Sequence, residues 1–89
     1  MKAVLTIVGR DRVGIIAMVS AILAENEVNI LNINQNIVDG FFNMVLIADM
    51  NRSRIALPVL QQRLKQAGVE IGLDIKVQHE DIFQSMHQI

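Results

Sequence analysis

The 89 residues include no cysteine, no tryptophan and no tyrosine. Without thiols there are no disulfides, no thiolate metal centres and no cysteine nucleophile, and redox chemistry fixes no compartment. Three phenylalanines are the whole aromatic complement, a thin supply for stacking nucleic-acid bases. Proline occurs once and glycine five times, and neither gathers into a linker or a low-complexity tract. A strong charge of one sign is also missing. Eight basic and nine acidic residues leave a net charge of -1, no field for a polyanion or an anionic membrane. The longest apolar stretch, residues 13–24, is broken by Gly14 and Ser20 and cannot span a bilayer. Between Lys2 and Gly9 there are too few apolar residues for a secretory signal, so the cytoplasm is the expected location.

What is present is a hydrophobic fraction of 52% in a chain short enough to gain from dimerising. Ala3, Leu5 and Ile7 alternate with Lys2, Val4, Thr6 and Val8, a strand apolar on nearly both sides and therefore central. After Gly9-Arg10-Asp11-Arg12-Val13-Gly14 the period changes. Ile15, Ile16, Val19, Ile22 and Leu23 fall on one helical stripe, and Glu25-Asn26-Glu27 closes it. Period two then returns, with Leu31, Ile33 and Ile37 on one face and Asn32, Asn34 and Asn36 on the other. Asp39-Gly40 is a two-residue hairpin signal, since both positions must tolerate positive φ. It predicts the pairs Val38–Phe41, Ile37–Phe42, Gln35–Met44, Ile33–Leu46 and Leu31–Ala48, the last four on a face expected to pack on helices. The other face mixes the asparagines and Asn43 with Phe41, Val45 and Ile47, and a partner subunit is its expected cover.

Residues 51–54 form a polar connection, and Pro58 suits the first turn of a second helix. Val59, Leu60, Leu64 and Ala67 are its expected inner stripe, and Gly68 its expected stop. Ile71, Leu73, Ile75 and Val77 alternate with Gly72, Asp74, Lys76 and Gln78, a strand with one wet face. In the tail Ile82, Phe83, Met86 and Ile89 recur at helical spacing, a short helix docking on this subunit or a neighbour. The order of elements, with right-handed crossovers, predicts an α+β, ferredoxin-like βαββαβ sandwich. Its four-stranded antiparallel sheet runs 4-1-3-2, two helices lie on one face, and a short C-terminal helix is added. Residues 1–79 form the domain and 80–89 its tail helix.

That fold hosts many functions, so the site must decide. Gly9 and Gly14 mimic the start of a phosphate-binding loop, but Ile15-Ile16 stand where lysine and serine or threonine are required. Gly40-Phe41-Phe42 resembles an RNA-recognition signature, yet the first strand offers no stacking ring. His79 and His87 are too far apart for a ligand motif and read as solvated tail histidines. No Ser-His-acid spacing or inward pair of acids points to catalysis, so no enzyme and no cofactor are expected. The strand-to-helix turn is different. It places free N–H groups, glycine flexibility, an acid and two arginines around one point, and helix N-termini attract anions. Arg10, Asp11, Arg12, Val13, Gly14, Ile15 and Asn29 are the candidate ligand-binding residues. Each has a structural alternative: Gly14 permits close packing, Asp11 caps the helix, the arginines are solvated, and Asn29 bonds its own backbone.

Gly9-x-Asp11-x-x-Gly14-Ile15, followed by Val28-Asn29-Ile30 and Gln35, resembles the ACT domain over residues 1 to about 79. The ending, residues 82–89, is similar to that of short, free-standing single-ACT-domain proteins. The resemblance implies a regulatory module that binds an amino acid or another small metabolite between paired domains. In the serine-sensing type, a histidine and an asparagine precede the turn glycine, and another asparagine begins strand two. Asp11 stands at the first asparagine's position, Gly14 at the glycine's, Asn29 at the second asparagine's, and Gly9 at the histidine's. The expected function is therefore metabolite sensing through a homodimer that acts on an enzyme or transcriptional partner. The alternatives are a constitutive protein–protein interaction module and, behind it, RNA binding.

Overall fold

The computed structural model describes residues 1–86. Strand β1 (Lys2–Arg10) leads to helix α1 (Ile15–Glu25), the hairpin strands β2 (Asn29–Val38) and β3 (Phe41–Asp49), helix α2 (Leu57–Glu70), strand β4 (Leu73–His79) and helix α3 (Glu80–Met86). The strands make one antiparallel sheet in the order β2-β3-β1-β4. This is the ferredoxin-like arrangement that the alternation of periods predicts.

Why the layers hold follows from the apolar spacing. Leu5 and Ile7 of β1, Phe42, Met44 and Leu46 of β3, and Ile75 and Val77 of β4 meet Ile15, Val19 and Leu23 of α1 and Leu60 and Leu64 of α2 in one buried cluster. Burying each of the larger side chains contributes about 1.5–3 kcal/mol. Helix α1 ends in a Schellman turn: Val28 N–H donates to the Leu23 carbonyl at 2.9 Å and Glu27 N–H to the Ala24 carbonyl at 3.1 Å. Glu27 is left-handed there, at φ 60°. Asn26, 6% exposed, donates its Nδ2 to the Ile22 carbonyl at 2.8 Å. The hairpin tip is left-handed at Asp39 (φ 50°) and Gly40 (φ 79°), the geometry a right-twisted hairpin needs.

Four expectations are corrected. The predicted register holds from Val38–Phe41 to Ile33–Leu46, but Leu31 bulges out and Ile30, not Leu31, pairs with Ala48. The bulge turns Ile30 inward against the core and sets Asn29 opposite Asp49. Second, β2 is an edge strand that the helices do not cover: every residue but Ile30 is exposed, Ile33 and Ile37 included. Third, Gly68 does not stop α2, which runs on to Glu70. It is a contact point, because a Cβ there would lie 2.8 Å from the Leu73 carbonyl oxygen and 2.9 Å from Ile75 Cγ1. Fourth, Val59 faces outward, and Leu60, Leu64 and Gly68 form the inner stripe.

Helix α3 packs on β1 and β4 of its own chain. This accounts for Val4, 4% exposed on the sheet face away from α1 and α2, where Val8 further along is 47% exposed. Residues 87–89, with His87 and Ile89, lie outside the described residues. Among the described residues no helix is long and apolar enough to cross a membrane.

Candidate functional site in the strand-to-helix turn

The backbone of β1 ends at Arg10 and turns through residues 11–14 into α1. Gly14 is the N-cap at φ 94°, and no side chain caps the first turn. The first N–H groups of a helix have no partner inside it, and the residues that carry them line a cleft beside the turn, about 380 Å³ in volume. Residues 11–17 make its walls, and Gln35 of β2 and Phe42 of β3 its floor. Ile15 and Phe42 are buried and supply an apolar base, whereas Val13, 99% exposed, stands free at the rim.

Asp11 is held by its backbone: its N–H donates to the Gly40 carbonyl at 2.8 Å. The turn therefore rides on the hairpin tip. Asp11 and Arg12 are both exposed, and among the described residues neither is in a salt bridge. Arg10 belongs with Val8 on the open face, where its guanidinium sits 5.5 Å from the Phe41 ring centroid. It does not line the cleft.

Asn29 lies at the opposite end of α1. It lines a second cleft, about 570 Å³, with Ala24, Glu27, Asp49, Asn51 and Arg52. Much of that cleft is internally paired: Glu27 Oε1 accepts from Arg54 Nη2 at 3.2 Å, Asp49 Oδ1 from Asn51 N–H at 2.9 Å, and Asn51 Oδ1 from the terminal ammonium at 2.6 Å. Within one chain, residues 11–15 come together and Asn29 does not join them.

Gln35 and Phe42 are cleft residues outside the candidate set, Gln35 having entered the sequence reading only as part of the ACT-domain pattern. The available signal was a lone amide on the face of β2 that carries Ile33 and Ile37, directly opposite Met44. Gly9 has a structural reason to lack a side chain: a Cβ would lie 2.5 Å from Leu73 Cδ2 and 3.1 Å from the Gly72 carbonyl oxygen. Phe42 is buried, so Phe41 is the ring that β3 presents on the open face. His79 Nδ1 accepts the Asp81 N–H at 3.0 Å, and no metal-holding group of three occurs among the described residues.

A four-stranded sheet with two helices on one face, and an uncapped glycine turn beside a bare edge strand, defines a small α+β domain of the ferredoxin-like kind. The chain belongs to the ACT-domain family, whose model matches residues 2–78, a family of small-molecule-binding regulatory modules. It is 53% identical to a UPF0237 protein of Clostridium perfringens over 89 residues, all of both chains. To a UPF0237 protein of Methanocaldococcus jannaschii it is 43% identical over 88 residues, covering 99% of this chain and 98% of the other. Among solved structures, an ACT domain protein from Streptococcus pneumoniae superposes with a TM-score of 0.81 at 32% identity, covering 98% of each chain.

Proposed function

We propose that the protein senses an α-amino acid by binding it between two copies of the chain, and that it binds without catalysing. The observation that carries this reading is the uncapped start of α1 at left-handed Gly14, facing a cleft. The ligand's carboxylate sits against the N–H groups of Val13, Gly14 and Ile15, with Arg12 beside it. Its ammonium meets the Asp11 carboxylate and the amide oxygen of Asn29 of the partner subunit, and Gln35 lies under its side chain. Arg10 takes part only after leaving Phe41.

The two sheet edges differ in a way that favours pairing along β2. Strand β4 is guarded: Asp74 and Lys76 are exposed, and Gln61 Nε2 donates to the Val77 carbonyl at 2.6 Å. Strand β2 has ten residues without one charge and with Leu31, Ile33, Ile37 and Val38 all exposed. An unguarded edge of that length is a template for a second strand. A ligand at the joint stabilises the dimer by mass action and so converts concentration into assembly, which an enzyme or transcriptional partner reads.

Calorimetry with a panel of α-amino acids tests the reading. One of them binds, and Asp11→Ala, Gln35→Ala and Asn29→Ala each weaken it; an empty panel, or variants that bind as well as the parent, rejects it. The same exposed edge favours a second reading, a constitutive interaction module with no ligand. A partner captured equally by the parent and by Asn29→Ala, with no ligand-induced thermal shift, selects that one.

A further inference from the structure

We infer that a second copy pairs antiparallel along β2 with the two-fold axis at Asn34, so that amides face amides across the joint. The inference rests on the edge pairing of the proposed function and adds to it the register. In a two-residue hairpin the flanking residues, Val38 and Phe41, form a hydrogen-bonded pair, and bonded and unbonded pairs then alternate. The backbone groups of Asn32, Asn34 and Asn36 therefore point to β3, opposite Ile47, Val45 and Asn43. Those of Ile33, Gln35 and Ile37 point outward.

Outward groups of one copy bond only to outward groups of the other, so the axis falls on a residue and not between two. Ile33, Asn34 and Gln35 are the choices at the middle of the strand. Because side chains alternate faces, each choice fixes every pair across the joint. With the axis at Ile33, Asn36 meets Ile30; with the axis at Gln35, Asn32 meets Val38. Only at Asn34 do all three asparagines meet asparagines, Asn34 against its own copy and Asn32 against Asn36. Leu31 then meets Ile37 on the other face. Exposed amides along an apolar edge are satisfied in this register and mismatched in the other two. The start of one β2 also comes to the end of the other. Asn29 of the partner subunit thereby arrives at the corner where the Gly40 carbonyl holds Asp11.

The absence of cysteine makes the register directly readable. Single Ile33→Cys, Asn34→Cys and Gln35→Cys variants are oxidised mildly, and disulfide-linked dimer is followed on non-reducing gels. A residue on the axis is the one that meets its own copy, and at Asn34 that pair is of the unbonded kind, with Cα atoms about 4.5 Å apart, inside disulfide range. The Asn34 variant should link at least about tenfold faster than either neighbour. In sedimentation, Asn34→Lys should be monomeric with an unchanged far-ultraviolet spectrum, because it sets two like charges together. Asn43→Lys, exposed on the same face one strand inward, should stay dimeric. Faster linkage at Ile33 or Gln35 overturns the register and leaves the dimer standing. A monomeric parent with no linkage at any of the three overturns the dimer itself.

Discussion

Asp11 and Gly40 are joined backbone to backbone, the N–H of one donating to the carbonyl of the other at 2.8 Å. Residues 29 positions apart in sequence thus share one corner, where the strand-to-helix turn leans on the hairpin tip. The tip keeps its shape because Gly40 accepts φ 79°, and a Cβ there would meet nothing within 4 Å. Gly40→Ala is therefore a backbone perturbation without a clash. It should lower stability by about 1–2 kcal/mol, the cost of a left-handed alanine. Urea denaturation measures that loss, and hydrogen exchange should show the Asp11 amide opening faster. An Asp11 amide that exchanges as slowly as in the parent would break the claimed link between tip and turn.

Gly9 and Leu73 are paired across β1 and β4, at a spacing that leaves no room for a side chain on Gly9. Gly9→Ala should cost about 1–3 kcal/mol through overpacking. If Leu73 is the cause, the cost of Gly9→Ala shrinks in a Leu73→Ala background, because the truncated side chain no longer meets the added methyl. A double-mutant cycle reads the coupling directly, and strict additivity would falsify the steric account. A histidine at this position, as in the serine-sensing type, has no space without movement of Leu73.

Much of the architecture was legible because the relevant signals are local. Asp39-Gly40 set the hairpin register for Val38, Ile37, Gln35 and Ile33, and Ile15, Val19 and Leu23 announced the buried face of α1. Most of the misses required knowledge of neighbours. The adjacent apolar pair Ile30-Leu31 breaks the alternation of residues 29–34 and marks an extra residue, but which of the two bulges out is decided by how both strands twist. Ile33 and Ile37 read as core, but β2 is an edge strand on which both stay exposed. Gly68 carries the same letter whether it ends a helix or lets one approach a strand. In the candidate site, residues 11–15 were legible as a turn, whereas Gln35 and Phe42 enter the cleft only through the fold. Arg10 was grouped with the turn by sequence, yet strand alternation sends it to the other face.

Deleting Leu31 should be tolerated. The ladder on one side of the bulge ends with Asn32 opposite Ile47 and resumes on the other with Ile30 opposite Ala48. Removing the intervening residue joins these two stretches without changing which side chains face the core. At a concentration where the chain is monomeric the loss should be under about 1 kcal/mol, because Leu31 is 46% exposed in the single chain and contributes little burial there. Thermal unfolding checks this: a melting temperature lowered by more than about 10 °C, for a domain this size, shows that the bulge itself stabilises the fold. Deleting Asn34 is the control. It shifts every β2 pair beyond it by one residue and turns Ile33 or Ile37 to the wrong face.

Glu27 stands where a Schellman turn ordinarily has glycine, and two effects there oppose each other. Its left-handed φ of 60° costs a residue with a Cβ about 1–2 kcal/mol. Against that, Glu27 Oε1 is 3.2 Å from Arg54 Nη2, with side chains 49% and 70% exposed respectively. A pair so open to water and salt contributes about 0–1 kcal/mol, and the added freedom of a glycine in the unfolded chain offsets part of the relief. The backbone effect is the larger. Glu27→Gly should therefore leave stability unchanged or raise it by up to about 1 kcal/mol, while Glu27→Ala, which loses the ion pair and keeps the strain, should lower it slightly. Urea denaturation at low and at high salt separates the contributions: the difference between the parent and Glu27→Gly should grow in favour of glycine as salt weakens the ion pair. If Glu27→Gly proves less stable than Glu27→Ala, the left-handed backbone is not the larger effect at this position, and the order of the two is reversed.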